Sequence, residues 1–389
     1  MNKTPAIWLL VALTGLGPFT MQVLVPSLPG MAAQFGTSNA AVQSTLTLYL
    51  TGVAFGQLIY GPLSDQFGRR PVLLGGLTLY MLGTLVCVMA PSVGWLAAGR
   101  VVQAMGACSG LVLSRAIVRD AFPRDQAASM LGYVMTAMAV APMVAPLLGA
   151  WLDEAFGWRA AMVTCLVLGG LVLAITAWRL TETLANPVAM AGVSGVLRAY
   201  GGLLALPQFR ALAAINICSA GVFFAFMGGA PFIVVQGLGR SPHDYAMAFL
   251  VISVTYMIGS FSAGRLSSRL GAMRMIGIAL VITTAGAIAG LVLVLALPLD
   301  LWVVFLPMAV VACGNGMGQP NAIAAAISVR AGYAGTASGL LGALQMGFGA
   351  LMTAMVGVLE SGAAIATMVV MAACGIGAQL ALRGARRAI

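Results

Sequence analysis

The stretch Gly61-Pro62-Leu63-Ser64-Asp65-Gln66-Phe67-Gly68-Arg69-Arg70-Pro71 breaks a long apolar run. Part of it returns 203 residues later as Gly264-Arg265-Leu266-Ser267-Ser268-Arg269-Leu270-Gly271, with Gly, Leu, Ser and Gly at matching places. Each copy follows the second apolar stretch of its half of the chain. Glycines allow a tight turn and close approach of helices. A glycine-bounded joint repeated at this interval predicts a chain built from two duplicated helical bundles.

The composition around the joint fits that plan. Of 389 residues, 61% are hydrophobic and 7% charged, and the mean hydropathy is +1.03. A soluble domain is about one-quarter charged, so a soluble globular protein is excluded. Apolar stretches bounded by charged or Gly/Pro-rich breaks fall at about 6–28, 42–62, 72–90, 94–118, 129–151, 159–178, 209–231, 245–263, 275–297, 301–327, 335–358 and 361–382. Each is long enough to cross a bilayer, which takes about 20 residues. The expected fold is an all-α integral membrane protein, with twelve transmembrane helices in two pseudo-symmetric six-helix bundles. The longest connection, with Arg179, Glu182, Pro187, Arg198 and Pro207, divides six stretches from six. The domain plan is therefore a bundle over 1–180, a cytoplasmic linker over 181–208 and a bundle over 209–389.

Charge sets the expected orientation. The chain carries 19 Lys+Arg against 9 Asp+Glu, a net +10, with the basic residues mostly in the gaps between apolar runs. Fifteen of them, from Lys3 to Arg387, flank one face, whereas Arg159 and Arg240 flank the other; Arg100 and Arg115 lie within the fourth stretch. The positive-inside rule makes the first face cytoplasmic and puts both termini there. Lys3 followed by an apolar run from Ala6 reads as a retained first span. Membrane lipids, through their headgroups, are the expected partners of the basic residues, and nucleic acid is not expected. Cys87, Cys108, Cys165, Cys218, Cys313 and Cys374 all sit in apolar stretches with no CxxC pair, so they read as small core residues rather than disulfide or metal ligands.

The joint at 61–71 resembles the cytoplasmic loop signature of the major facilitator superfamily. Within it, Asp65 can accept hydrogen bonds from a helix N-terminus or pair with an arginine, latching one conformation. Arg100-Val101-Val102-Gln103-Ala104-Met105-Gly106-Ala107 is similar to a second superfamily motif built around a membrane-embedded arginine. Arg115-Ala116-Ile117-Val118-Arg119-Asp120 resembles the end of the same helix in drug-efflux members. The latch set is thus Gly61, Asp65, Gly68, Arg69, Arg70, Arg115 and Asp120. The fifth stretch, with Gly132, Ala141, Ala145, Pro146, Gly149 and Ala150, is similar to the antiporter motif; Gly132 and Gly149 would pack helices closely, and Pro142 and Pro146 would bend them. Val25-Pro26-Ser27-Leu28-Pro29, Trp178-Arg179-Leu180-Thr181-Glu182-Thr183-Leu184 and Gly335-Thr336-Ala337-Ser338-Gly339 resemble the bicyclomycin/drug-resistance subfamily. Members often carry an aspartate in the first span, where this chain has Gln22.

The resemblance covers nearly the whole chain and implies a secondary transporter that exports drugs or other small amphipathic molecules across a bacterial-type inner membrane by alternating access. Proton antiport is the expected drive, with no cofactor, no metal and a monomeric chain. A facilitator or importer of a small metabolite is the alternative, because fold does not dictate cargo. An intramembrane enzyme finds little support: there is one histidine, His243, and no HExxH or GxSxG. A sensor that kept the fold would bind without flux. Polar and aromatic residues within the stretches suggest a cavity lined by Gln22, Tyr49, Arg100, Tyr133, Asn216, Phe223, Asn315 and Gln345. No Asp or Glu lies near the centre of any stretch, which leaves Asp65 and Asp120 as candidate proton carriers. If Arg100 faces the cavity, its charge favours neutral or anionic cargo over cations.

Overall fold

The computed structural model describes residues 6–122, 124–184, 192–330, 333–359 and 364–388, with side chains outside the described set at 124–125, 127–129, 131–133, 135–139, 192–194 and 387–388. In chain order the helices are α1 (Ile7–Val23), α2 (Leu28–Phe35), α3 (Asn39–Phe67), α4 (Arg69–Val88), α5 (Val93–Ala121), α6 (Arg124–Phe156) and α7 (Trp158–Arg179). Then come α8 (Gly192–Leu204), α9 (Pro207–Phe232), α10 (Pro242–Leu270), α11 (Ala272–Ala296), α12 (Leu301–Ile327), α13 (Ala334–Val358) and α14 (Ala364–Ala388). Among the described residues, eleven helices are long and apolar enough to cross a membrane, α1 and α2 counting together as Ile7–Phe35. The expected span at about 129–151 lies inside α6, a helix of 33 residues.

Several helices outrun their apolar stretches. The second, expected over 42–62, is helical from Asn39 to Phe67, and the eighth, expected over 245–263, runs from Pro242 to Leu270. Hydropathy marks only the residues within hydrocarbon, whereas a helix continues until its ends are capped. At the start of α10, Ser241 accepts the Asp244 N–H and the Asp244 side chain accepts the Ser241 N–H, a reciprocal capping box. The first span is instead interrupted by a 3-10 turn at Val25–Ser27, where Pro26 removes a backbone donor. The region expected as a plain linker, 181–208, contains α8.

The chain forms two compact units, one of Met1–Val25 and Leu48–Leu197, the other of Pro26–Thr47 and Arg198–Ile389. Within the first, α1 packs on α6. A Cβ at Gly149 would run into the Val23 carbonyl, so only glycine lets the two backbones approach. Pro142 and Pro146 stand inside α6, and Gly132 lies on its helical backbone. On α7, Val163, Val167 and Leu171 form an exposed apolar stripe at four-residue spacing, the face a helix turns to lipid. In the second unit, Ile278, Val281, Ile288, Val292 and Leu295 of α11 are likewise exposed. Its interior holds an aromatic stack in which Phe226 and Tyr245 both meet Phe305 edge-on, at 5.3 and 6.0 Å between ring centroids.

The sequence repeat is also a backbone repeat. Gly68 joins α3 to α4 with φ +95° and ψ 153°, and Gly271, its counterpart, joins α10 to α11 with φ +80° and ψ 149°. Side chains disfavour this region, so glycine is required at both places for a one-residue corner between long helices, as it is also at Gly157 between α6 and α7. The charges do not repeat. Asp65, Arg69 and Arg70 correspond to Ser268, Ala272 and Met273.

Replacing Gly149 with Val should lower the melting temperature of the purified protein, at a cost of about 1–3 kcal/mol typical of overpacking. Gly347→Ala on α13, where a Cβ meets nothing within 4 Å, should be neutral or mildly stabilising.

Candidate functional site

The charged joint of the first unit is built around Arg69, whose side chain is 7% exposed. Its Nη1 pairs with Asp65 at 2.6 Å, one turn earlier on α3, and donates to Ser64 Oγ at 2.6 Å. Its Nε donates to Asp120 at 2.8 Å, near the end of α5. One guanidinium thereby ties three helix ends together, its fork spread over two carboxylates and a hydroxyl. Glu182 completes the joint by accepting the Arg69 N–H at 2.9 Å and the Arg70 N–H at 3.1 Å. These are the first two amides of α4, which have no partner within the helix, so the carboxylate caps it from a distant part of the chain. A Cβ on Gly68 would lie 2.6 Å from Glu182 Oε2; the glycine is needed for space as well as for its backbone angles. Arg70 donates to the Ala177 carbonyl at 2.8 Å, closing the last turn of α7.

Burial alone would raise the Glu182 carboxyl, but hydrogen bonds from the Leu184, Arg69, Arg70 and Thr183 amides outweigh it and hold the group below its ordinary value. A depressed carboxylate stabilises the fold above its unfolded value and stops doing so as pH falls through the folded one.

Arg100, on α5, lies deeper and is 1% exposed. Its guanidinium sits 4.1 Å from the Tyr49 ring centroid, a stabilising arrangement for a desolvated cation. Nη1 donates to the Thr20 carbonyl at 3.0 Å and to Gln103 Oε1 at 2.8 Å. Gln103 in turn donates to Thr84 at 2.9 Å. Thr20 and Tyr80 share a 2.8 Å hydroxyl bond, and the Tyr49 hydroxyl donates to the Gly17 carbonyl at 2.9 Å. Among the described residues no carboxylate pairs with Arg100. The charge is met by a carbonyl, an amide oxygen and a π face.

In the second unit, Asn315 on α12 donates to the Ser219 carbonyl at 3.1 Å and accepts from Thr283 at 3.3 Å. Asn216 borders the same small space. Phe223 packs edge-on against Phe224 and Phe249, at 5.6 and 6.3 Å. The segment Pro26–Thr47 is held in this unit by two amides one turn apart on α3. Asn39 exchanges hydrogen bonds with Gln236 at 2.6 and 2.9 Å, and Gln43 donates to the Thr353 carbonyl at 2.7 Å. Cβ atoms at Gly228 and Gly357 would lie 2.7 and 3.0 Å from the Gln43 amide, so these glycines form its socket.

The structure thus brings together Tyr49 with Arg100, Asn216 with Asn315, and Asp65, Gly68, Arg69, Arg70 and Asp120. Gln22 is fully buried on α1, Gln345 is half-buried on α13, and the Tyr133 side chain lies outside the described residues. Gly61 stands within α3, seven residues before the corner it was expected to help form. Arg115 is half-buried five residues before Asp120, with Cys108 and Arg119 as electrostatic neighbours. Sequence reasoning did not assign roles to Glu182, Gln103 or Gln43. The signal for Gln103 was its place three residues after Arg100, on the same helix face; for Gln43 it was an amide within an apolar run.

A duplicated, lipid-facing helical bundle with polar clusters inside its helices defines a multi-pass membrane carrier. Residues 9–354 match the family model of the Major Facilitator Superfamily, and the chain belongs to that superfamily of transporters; it is not an enzyme. It is 30% identical over 382 residues to a bicyclomycin resistance protein homolog of Haemophilus influenzae, covering 96% of this chain and 95% of that one. It is also 30% identical over 343 residues to multidrug resistance protein D of Escherichia coli, covering 87% and 84%. Among solved structures it resembles a bacterial homolog of the human lysosomal transporter Spinster, in an inward-facing and unoccupied conformation. The TM-score there is 0.76 at 17% identity, over 98% of this chain and 97% of the other, which is a likeness of fold alone.

Replacing Glu182 with Gln should lower the melting temperature at neutral pH. The gap from wild type should close as pH falls below 4.5, the ordinary value of the group. A gap independent of pH would mean that the carboxylate charge is not what holds the joint.

Proposed function

We propose that the chain exports drugs or other small amphipathic molecules across the inner membrane by alternating access, both termini lying on the cytoplasmic side, with protons moving the other way and no cofactor required. The observation that carries this reading is the near full-length likeness to a bicyclomycin resistance protein homolog. The likeness to multidrug resistance protein D supports it, as does the excess of basic residues on one face.

Two features of the site refine it. None of the nine acidic residues lies near the middle of an apolar stretch, which leaves Asp65 and Asp120 as the candidate proton carriers. Protonating Asp65 and Asp120 would strip Arg69 of its counter-charges and loosen the corner between α3 and α4. Arg100 is a fixed positive charge that no described carboxylate neutralises, and in a low dielectric it repels cations. If the cargo path borders Arg100, the favoured cargo is therefore neutral or anionic.

A drug-susceptibility panel in an efflux-deficient host tests the reading, with everted-vesicle uptake to fix direction. Wild type should protect against neutral antibiotics more than against lipophilic cations. Asp65→Asn should abolish proton-driven accumulation while sparing downhill flux. Arg100→Ala should narrow the neutral-over-cation preference by about tenfold, equivalent to about 1.4 kcal/mol. Unchanged sensitivity to every compound, with the protein well expressed, would remove the export claim; strong cation export that depends on Arg100 would overturn the cargo preference.

A further inference from the structure

In the second unit an enclosed space of about 10 Å³ lies between α9, α11 and α12. Asn216, Ser219, Thr283, Asn315 and Gln319 supply its polar lining; Ile215, Ile276 and Leu280 are among its apolar walls. Asn216 is fully buried, and neither its Nδ2 nor its Oδ1 has a protein partner. Asn315 is already engaged with Ser219 and Thr283. An amide left unanswered in hydrocarbon is costly, so this one calls for a ligand.

Size and charge identify the ligand. The space is close to the smallest that admits a single water and far below the several hundred Å³ of a drug-sized pocket. Its donors and acceptors are neutral, whereas a bare cation away from water needs charged or numerous oxygen ligands. The gap also has a cause in the sequence. Gly314 and Gly318 of α12 border it without side chains, and Gly314 faces the α11 backbone so closely that a Cβ would collide with Thr283. The glycines that bring α12 against α11 leave missing volume beside Asn216.

We propose that this gap binds one water molecule, donated to and accepted by Asn216, and that the hydrated cluster clamps α9, α11 and α12 rather than contacting cargo. The full chain in nanodiscs, exposed to a brief X-ray pulse in water enriched in oxygen-18, tests this, because hydroxyl radicals made at a bound water oxidise the side chains beside it. Ile215, Ile276 and Leu280 should label severalfold faster than the equally shielded Leu113 and Ile117. In Asn216→Leu, which keeps the shape without the amide, labelling should drop to that background. Background labelling in wild type would overturn the proposal without recourse to any variant. So would labelling that persists in Asn216→Leu. A rise in melting temperature with sodium chloride but not choline chloride, lost in that variant, would assign the gap to an alkali cation instead. None of these outcomes depends on which way the carrier pumps or what it carries.

Discussion

Hydrocarbon offers no hydrogen-bond partner, so a polar atom carried into it is costly unless the protein or a bound molecule answers it. This constraint organises both units. Arg100 is met by the Thr20 carbonyl, the Gln103 amide and the Tyr49 ring, which draws α1, α3 and α5 around one charge. Asn315 does the same with neutral groups for α9, α11 and α12. Apolar packing alone gives helices little reason to prefer one neighbour over another in lipid; small residues and polar ties supply the preference.

At the membrane surface the chain can use ions freely, and it concentrates them at one corner. Arg69 and Glu182 there act in complementary ways: the arginine binds side chains from α3 and α5, and the carboxylate binds the backbone that opens α4. Neither could work without Gly68, which gives the turn its angle and leaves room for the acid. The segment Pro26–Thr47 shows a different solution. It is fastened by the uncharged side chains of Asn39 and Gln43, so its attachment should be far less sensitive to salt than the joint at Arg69.

Much of this was legible in the sequence because it rests on periodicity and composition. The spans, the duplicated corner and the latch residues Asp65, Arg69, Arg70 and Asp120 all stand out as departures from an apolar background. Helix ends were less legible, since hydropathy falls silent where α3 and α10 leave the hydrocarbon and capping takes over. Partnerships between distant residues were hidden altogether. Nothing in Glu182 signals that it caps a helix more than a hundred residues away, and nothing in Gly228 or Gly357 signals that they make a socket for Gln43. Polar residues in apolar runs looked alike as cavity candidates; in the structure Arg100 Nη1 is engaged by Thr20 and Gln103 while its Nε has no partner among the described residues, and Gln22 and Asn216 are buried without protein partners.

The two glycine corners carry one last implication. Gly68 and Gly271 bend the chain in almost the same way, yet only the earlier one is braced by ions. The later corner carries Arg265 and Arg269 but no carboxylate in its motif, so its turn rests on the backbone angles of Gly271. Side chains around the later corner can therefore be exchanged at little cost while its glycine is kept, whereas the earlier corner depends on Asp65, Arg69, Asp120 and Glu182 together.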